Sequence, residues 1–493
     1  MPKDLEREQK STSPKFIKNL IAIGIPFAFA IFAVFLLLNW MKNGHKLDFN
    51  IIRRDKSAAA SSNNGASATT SGAVNGTGDV DNKSGLVTTF TPGYGKAASL
   101  PGAWPRYRGE KFDGISYENV PLARSWPADG PKALWTIEMG EGYAGPAISN
   151  GRVYVLDYDI KIKGDALRCL SLDDGAEIWR RSYQVVVKPN HGMSRTVPAV
   201  TDKYVLTIGP MCQTMCVKAD TGEFIWGIDL VKNYEAEPPP WYASQCPLID
   251  DDKAIIVPGG KALMIAVDCA TGKVLWETPN PKRWSMTHSS VIPITIGNKK
   301  VYIYPASGGI IAVDATNGKL LWDYPEWTVK TANVPMPLVV GENRLFFCGG
   351  YDAGSMLAKV STSGLQEIWR KPQDVFGTDQ MTPLFYNGFI YGTRHGQEFV
   401  CLDLEGNVKW QSGSTNRFGQ YGGPYIIADG MIYVMDDAGV LTLLEANSEK
   451  YTSLGSFTAF ANGKDSWGPL AIAGGRLIAR DNTRMTCFDV AQH

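Results

Sequence analysis

The side chains able to move protons or hold ligands are few: five His and eight Cys in 493 residues. His191 and His288 stand in polar connections and are candidates for acid/base or ligand duty, because imidazole titrates near neutral pH. Only His395 could join them, so no metal site is expected. No Ser/His/Asp nucleophile pattern, P-loop or glycine-rich dinucleotide motif occurs, and no catalytic residue is assigned. The nearest cysteine pair is Cys212-Gln-Thr-Met-Cys216, which could bridge across a turn. Cys169, Cys216, Cys401 and Cys487 fall where Ala266, Ala312 and Ala358 fall elsewhere, which reads as small buried strand positions. Irregular connections rich in aromatic and polar groups carry the candidate binding residues. These are Tyr143, His191, Arg195, Trp241, Tyr242, Trp284, His288, Trp327, Asn333, Asp379, Arg417, Tyr421 and Trp467.

The elements that must position these residues announce themselves through tryptophan. Seven of the 14 Trp recur at spacings of 44, 47, 50, 46, 47 and 41: Trp135, Trp179, Trp226, Trp276, Trp322, Trp369 and Trp410. Each ends a strand that follows an Asx-Gly type turn, as in Asp268-Cys-Ala-Thr-Gly-Lys-Val-Leu-Trp276. Asp and Thr can satisfy turn amides and Gly supplies a positive φ. A period in the forties with Gly/Pro-punctuated strands points to a propeller. A second marker, a Pro or small residue opening a strand, recurs at Pro146, Pro198, Pro247, Ser290, Pro337, Pro383, Pro424 and Pro469. That makes eight units of four strands, A to D. The last unit ends after its third strand near Val490, so Lys132 to Trp135 is expected to supply its fourth and close the ring. The fold class is therefore all-β, an eight-bladed propeller over 101–493. Long connections from strand D to the next strand A, and the B–C turns, should gather the candidate residues at one mouth.

Three segments precede it. Residues 1–19 form a short tail. Residues 20–41 are expected to be a transmembrane signal-anchor helix, since Leu20 to Leu38 is uncharged and apolar for 19 residues, roughly 30 Å of helix. Residues 42–100 are expected to be a low-complexity linker; from Ser57 to Gly78 all but Val74 are Ala, Ser, Asn, Gly or Thr. Basic residues flank the apolar run evenly, so charge does not set its orientation. The net charge of zero argues against a nucleic-acid partner. It sums a basic first 56 residues and a mildly acidic remainder.

The repeated Asp-x-x-Thr-Gly-x-x-x-Trp resembles the repeat of the PQQ-like (quinoprotein-type) β-propellers, in which the Trp docks between blades. The repeat is degenerate in unit seven, where Leu454 is expected at the Trp position. Trp104-Pro-Arg-Tyr-Arg-Gly109, with Gly114, is similar to the N-terminal strap of bacterial BamB-like propellers. The resemblance implies an extracytoplasmic propeller on a single-pass inner-membrane anchor, acting as a non-catalytic scaffold for a protein partner or extended ligand. It also raises an alternative, a PQQ- and calcium-dependent dehydrogenase or other channel-mouth enzyme. The residues speak against that: no two Cys are adjacent and Cys-x-x-Cys-His is absent, so no cofactor is expected. A small-molecule or glycan sensor is the third reading.

Overall fold

The computed structural model describes residues 77–80, 86–188, 191–419 and 421–493. The tail, the apolar run at 20–41 and most of the expected linker lie outside the described residues. Among the described residues no helix is long and apolar enough to cross a membrane.

Eight antiparallel sheets follow one another along the chain, six of them pairing their strands strictly in sequence order. Strands A start at Ala147, Ala199, Leu248, Ile292, Leu338, Leu384, Tyr425 and Ala471, one or two residues after the expected markers. The eighth sheet takes its outer strand from the start of the body: Ala133–Glu138 pairs with Arg484–Asp489, Trp135 opposite Cys487. Both chain ends thus share one blade and close the ring.

The Trp residues weld neighbouring blades. The indole N–H of Trp135 donates to the Leu172 carbonyl of the next blade at 3.0 Å, Trp179 to Asp220 at 3.1 Å and Trp226 to Cys269 at 2.9 Å. Trp322, Trp369 and Trp410 do the same to Ser361, Leu404 and Asn447. Trp276 lacks this bond. The receiving turn needs its glycine twice over. Gly222 has φ +69°, and a Cβ there would lie 2.6 Å from the Trp179 ring.

Blade seven departs from the expectation. The bulge in its outer strand leaves Leu454 unpaired and sets Gly455 opposite Leu443, so Gly455 holds the Trp position. In blades one and six the equivalent Trp packs on a strand-B tyrosine: Tyr154–Trp179 at 6.1 Å and Tyr391–Trp410 at 6.0 Å. In blade seven that tyrosine, Tyr433, meets Trp126 of the strap at 6.0 Å. Trp126 also packs edge-on to Phe457 at 5.4 Å. A residue from outside the repeat fills the seam between blades seven and eight.

Two further segments dress the ring. Val87–Pro92 pairs with Glu177–Gln184, adding a fifth strand outside blade one, and Thr77–Val80 adds a sixth. The expected linker is therefore not coil at these residues. Thr88 is fully buried and accepts from Arg181 at 2.8 Å. Residues 98–126 form the strap. It bonds to blade one through Ala98 and Trp104, to blade two through Pro105, to blade six through Arg108 and to blade seven through Ser116. It thus crosses the ring on the face of the A–B turns.

Removing Trp126 opens the seam between blades seven and eight. Trp126→Ala should cost about 2–3 kcal/mol, less than truncation of a fully buried aromatic because the ring is half-buried, read as a lower melting temperature. Gly455 has free space around an added Cβ. Gly455→Trp should therefore restore part of the loss in the Trp126→Ala background, and equal melting of the single and double variants would contradict the substitution in trans.

Candidate functional site

The B–C turns and D–A connections gather on the face opposite the strap and enclose a cavity of about 170 Å³. Eight of the thirteen expected residues line it: Tyr143, His191, Arg195, Trp241, His288, Asp379, Tyr421 and Trp467.

The connection from blade one to blade two carries His191 and Arg195 and is held from below. The Ser194 hydroxyl donates to the fully buried Asp165 carboxylate, which also accepts from Tyr183 at 2.9 Å. The Ser194 carbonyl accepts from the amides of Tyr143 at 2.7 Å and Ala144 at 3.0 Å. Tyr143 donates its hydroxyl to Asp465 at 3.2 Å and packs against Trp467 at 5.0 Å and His191 at 6.1 Å. Trp467 is fixed by donation to Asp437 at 2.8 Å and meets Tyr421 edge-on at 5.4 Å. Four connections thus contribute one continuous aromatic wall.

Across from it Trp241, in a left-handed conformation (φ 62°), tilts over His288 at 6.4 Å. His288 donates from Nε2 to the Pro240 carbonyl at 2.7 Å. Burial, opposed by that bond and reinforced by Arg195, pushes its pKa down to about 4, so the ring is neutral at physiological pH. Asp379 lies 3.5 Å from His395 Nδ1. Burial pushes the Cys246 thiol up to about 12, leaving it protonated and un-nucleophilic. The lining thus offers aromatic faces, one cation and one carboxylate, with no activated nucleophile.

Five expected residues fall elsewhere. Trp327 is 1% exposed and packs inside the blades against Phe347 and the Arg370 guanidinium. Trp284 lies over Gly308, where a Cβ would sit 2.1 Å from its ring nitrogen. Tyr242 donates to the Lys188 carbonyl. Asn333 is buried, with both amide atoms unpartnered, outside the cavity lining. Arg417 pairs its backbone with Glu398. Their irregular placement in the repeat came from long connections, some of which fold back into the blades. Conversely, Tyr107, Tyr351, Ser244 and Cys246 line the cavity and were not singled out. Tyr107 comes from the strap motif, and nothing in that motif's spacing says that it reaches the channel. Cys212 and Cys216 are not bonded to one another; Cys212 points to Met286 and Cys216 to Cys269.

The ring of eight four-stranded blades with interblade Trp docking defines a PQQ-like β-propeller. The family model described as outer membrane protein assembly factor BamB matches residues 162–412, just over half of the chain, and the chain belongs to that family. Among solved structures, BamB from Moraxella catarrhalis superposes with a TM-score of 0.53 at 14% identity, covering 73% of this chain and 99% of that one. A europium-containing methanol dehydrogenase reaches 0.45 at 12% identity, over 78% and 89% of the two chains. A quinohemoprotein alcohol dehydrogenase from Comamonas testosteroni reaches 0.40 at 13%, over 80% and 82%. These two enzymes carry no functional weight at that similarity. No curated protein matches the sequence.

The quinoprotein resemblance would bring PQQ and calcium, and the cavity does not fit them. Its lining has one carboxylate and one thiol, where paired cysteines and several acidic ligands would be needed. Among the described residues no group of three or more His, Cys, Asp or Glu is placed to hold a metal.

Asp165 makes the site's support pH-dependent. Burial, outweighing the Ser194 and Tyr183 hydrogen bonds, raises its pKa from 3.8 to about 7. The folded chain keeps a proton that the unfolded chain releases, so stability falls as pH rises from about 4 to about 7, by up to about 4 kcal/mol. Asp165→Asn should flatten this decline in denaturant titrations across that range. An unchanged difference between pH 4 and pH 7 would contradict it.

Proposed function

We propose that the protein is a non-catalytic scaffold whose channel mouth holds a protein partner or an extended ligand during an assembly process at a bacterial envelope. The observation that carries this reading is the one-sided cup: Tyr107 of the strap lines the cavity from below, and aromatic residues from several blade connections crowd the other end. Rigid loops on a fixed ring suit recognition, and the lining lacks a free base beside a nucleophile. Membership of a family described as an outer membrane protein assembly factor supports the same class of role. In this reading residues 20–41 anchor the chain in the inner membrane as a single span. Residues 42 to about 76 link it to the propeller, which faces the periplasm.

A photo-crosslinking side chain placed at Tyr421 in the mouth should capture a polypeptide in intact cells, and one placed at Glu342 on the strap face should not. Capture only from Glu342 would overturn the choice of face. The catalytic alternative has its own check. Purified protein given PQQ and calcium should show no dye-linked alcohol oxidation. Turnover that Asp379→Asn or His191→Ala abolishes would overturn the scaffold reading.

A further inference from the structure

Arginines packed around the channel differ in how fully their donors are met, and at the mouth Arg195 is poorly satisfied. Arg108 donates to four backbone carbonyls, those of Phe112, Asp113, Thr382 and Pro383. Arg480 likewise donates to the carbonyls of Gly140, Ala144, Asp481 and Asn482. Arg195 donates once, from Nη2 to the His191 carbonyl. Its Nε is buried with no partner, and its guanidinium lies over the Tyr143 ring at 4.8 Å. Among the described residues no carboxylate pairs with it; Asp379, in the same cavity, pairs with His395. Desolvation lowers its pKa to about 10, and it remains charged at neutral pH.

Arg195 is half-buried, and its Nε is cut off from water, which is costly unless something accepts from the guanidinium. The geometry points to an anion. We propose that Arg195 is the anchor of a carboxylate-binding subsite in the mouth, taking a monocarboxylate that carries a flat apolar group. This rests on the reading of the mouth as the binding surface. The planar guanidinium fork matches two coplanar oxygens. Among the described residues, Arg195 is the one cation of a lining that also holds Asp379, so it suits a single negative charge, where a phosphate dianion would need more cations. Trp241, Tyr421 and Trp467 supply faces for the apolar part. The cavity of about 170 Å³ equals about six water volumes, room for one side-chain-sized group. The carboxylate has two sources of the same chemistry, a free small acid or the C-terminal residue of a polypeptide.

The test is calorimetric titration of the full chain in detergent with N-acetyl-phenylalanine and with N-acetyl-phenylalaninamide. Two hexapeptides ending in Phe, one with a free and one with an amidated C-terminus, form the second arm. The free acid should bind at least tenfold more tightly than the amide. Arg195→Gln should abolish that preference, and Arg195→Lys should weaken binding despite keeping the charge. Circular dichroism and melting temperature establish that each variant is folded. Bound acid should also raise the His288 titration midpoint followed by NMR in the unsubstituted chain, because an anion offsets the Arg195 charge. Binding of the free-acid peptide assigns a polypeptide terminus, and binding of the small acid alone assigns a free metabolite. Equal binding of acid and amide, no binding of either, or binding unchanged in Arg195→Gln overturns the subsite. If crosslinking from Tyr421 persists after such a result, only the subsite falls. If that is lost as well, the reading of the mouth falls with it.

Discussion

The structure depends on one contact repeated around a circle: in seven of the eight blades a tryptophan on the outer strand leans on the next blade, in six of them with its N–H on a carbonyl of that blade's turn. A four-stranded blade cannot bury both of its faces alone. It must lean on a neighbour, and the wedge-shaped gap between splayed sheets asks for a large flat side chain at the rim. Six of the seven repeat Trp make the bond, and at Gly175, Gly222, Gly272 and Gly318 an added methyl group would collide with the indole of Trp135, Trp179, Trp226 and Trp276. The contact fixes both the spacing and the tilt of the blades. Every loop at the mouth inherits its position from that angle.

The one seam without its own Trp explains the strap. Gly455 leaves a gap that Trp126 fills, a few residues before the chain enters the last blade at Ala133. The same lead-in places Trp104 beside Ile148 and buries Arg108 against blade six. Closing the ring, sealing the weak seam and closing one end of the channel are thus done by one continuous stretch. What remains open is the mouth, where connections of unequal length set aromatic rings around a single under-satisfied arginine. Asp165 connects the two levels: it sits at the start of a blade strand and holds Ser194, one residue from Arg195.

The ring was legible in the sequence because its contacts are local and periodic. The Trp spacing, the turn glycines and the small residues opening strand A located all eight blades, and the split eighth blade followed from a missing strand. The mouth was legible only in part. His191, Arg195 and Trp467 break the repeat because they serve the cavity, yet Trp327 breaks it too and serves the interior of the blades. Departure from a period marks a residue as special without saying which way it faces. Tyr107 and Trp126 act far from their sequence neighbours, through long-range packing that no spacing encodes. The shift from Leu454 to Gly455 turns on a single bulge, which a repeat pattern cannot register. The strand at Val87–Pro92 was hidden because it borrows an edge from blade one and has little apolar patterning of its own.

Hydrogen–deuterium exchange on the full chain tests the central claim most directly, comparing protein in native membranes with the same protein freed of associated molecules by detergent and salt. A mouth that holds its partner predicts slower exchange in the native state around Arg195, Trp241 and Trp467, with the strap and the A–B turns unchanged. Slowing confined to the strap face or to the outer blade edges, with the mouth exchanging alike in both states, would contradict it.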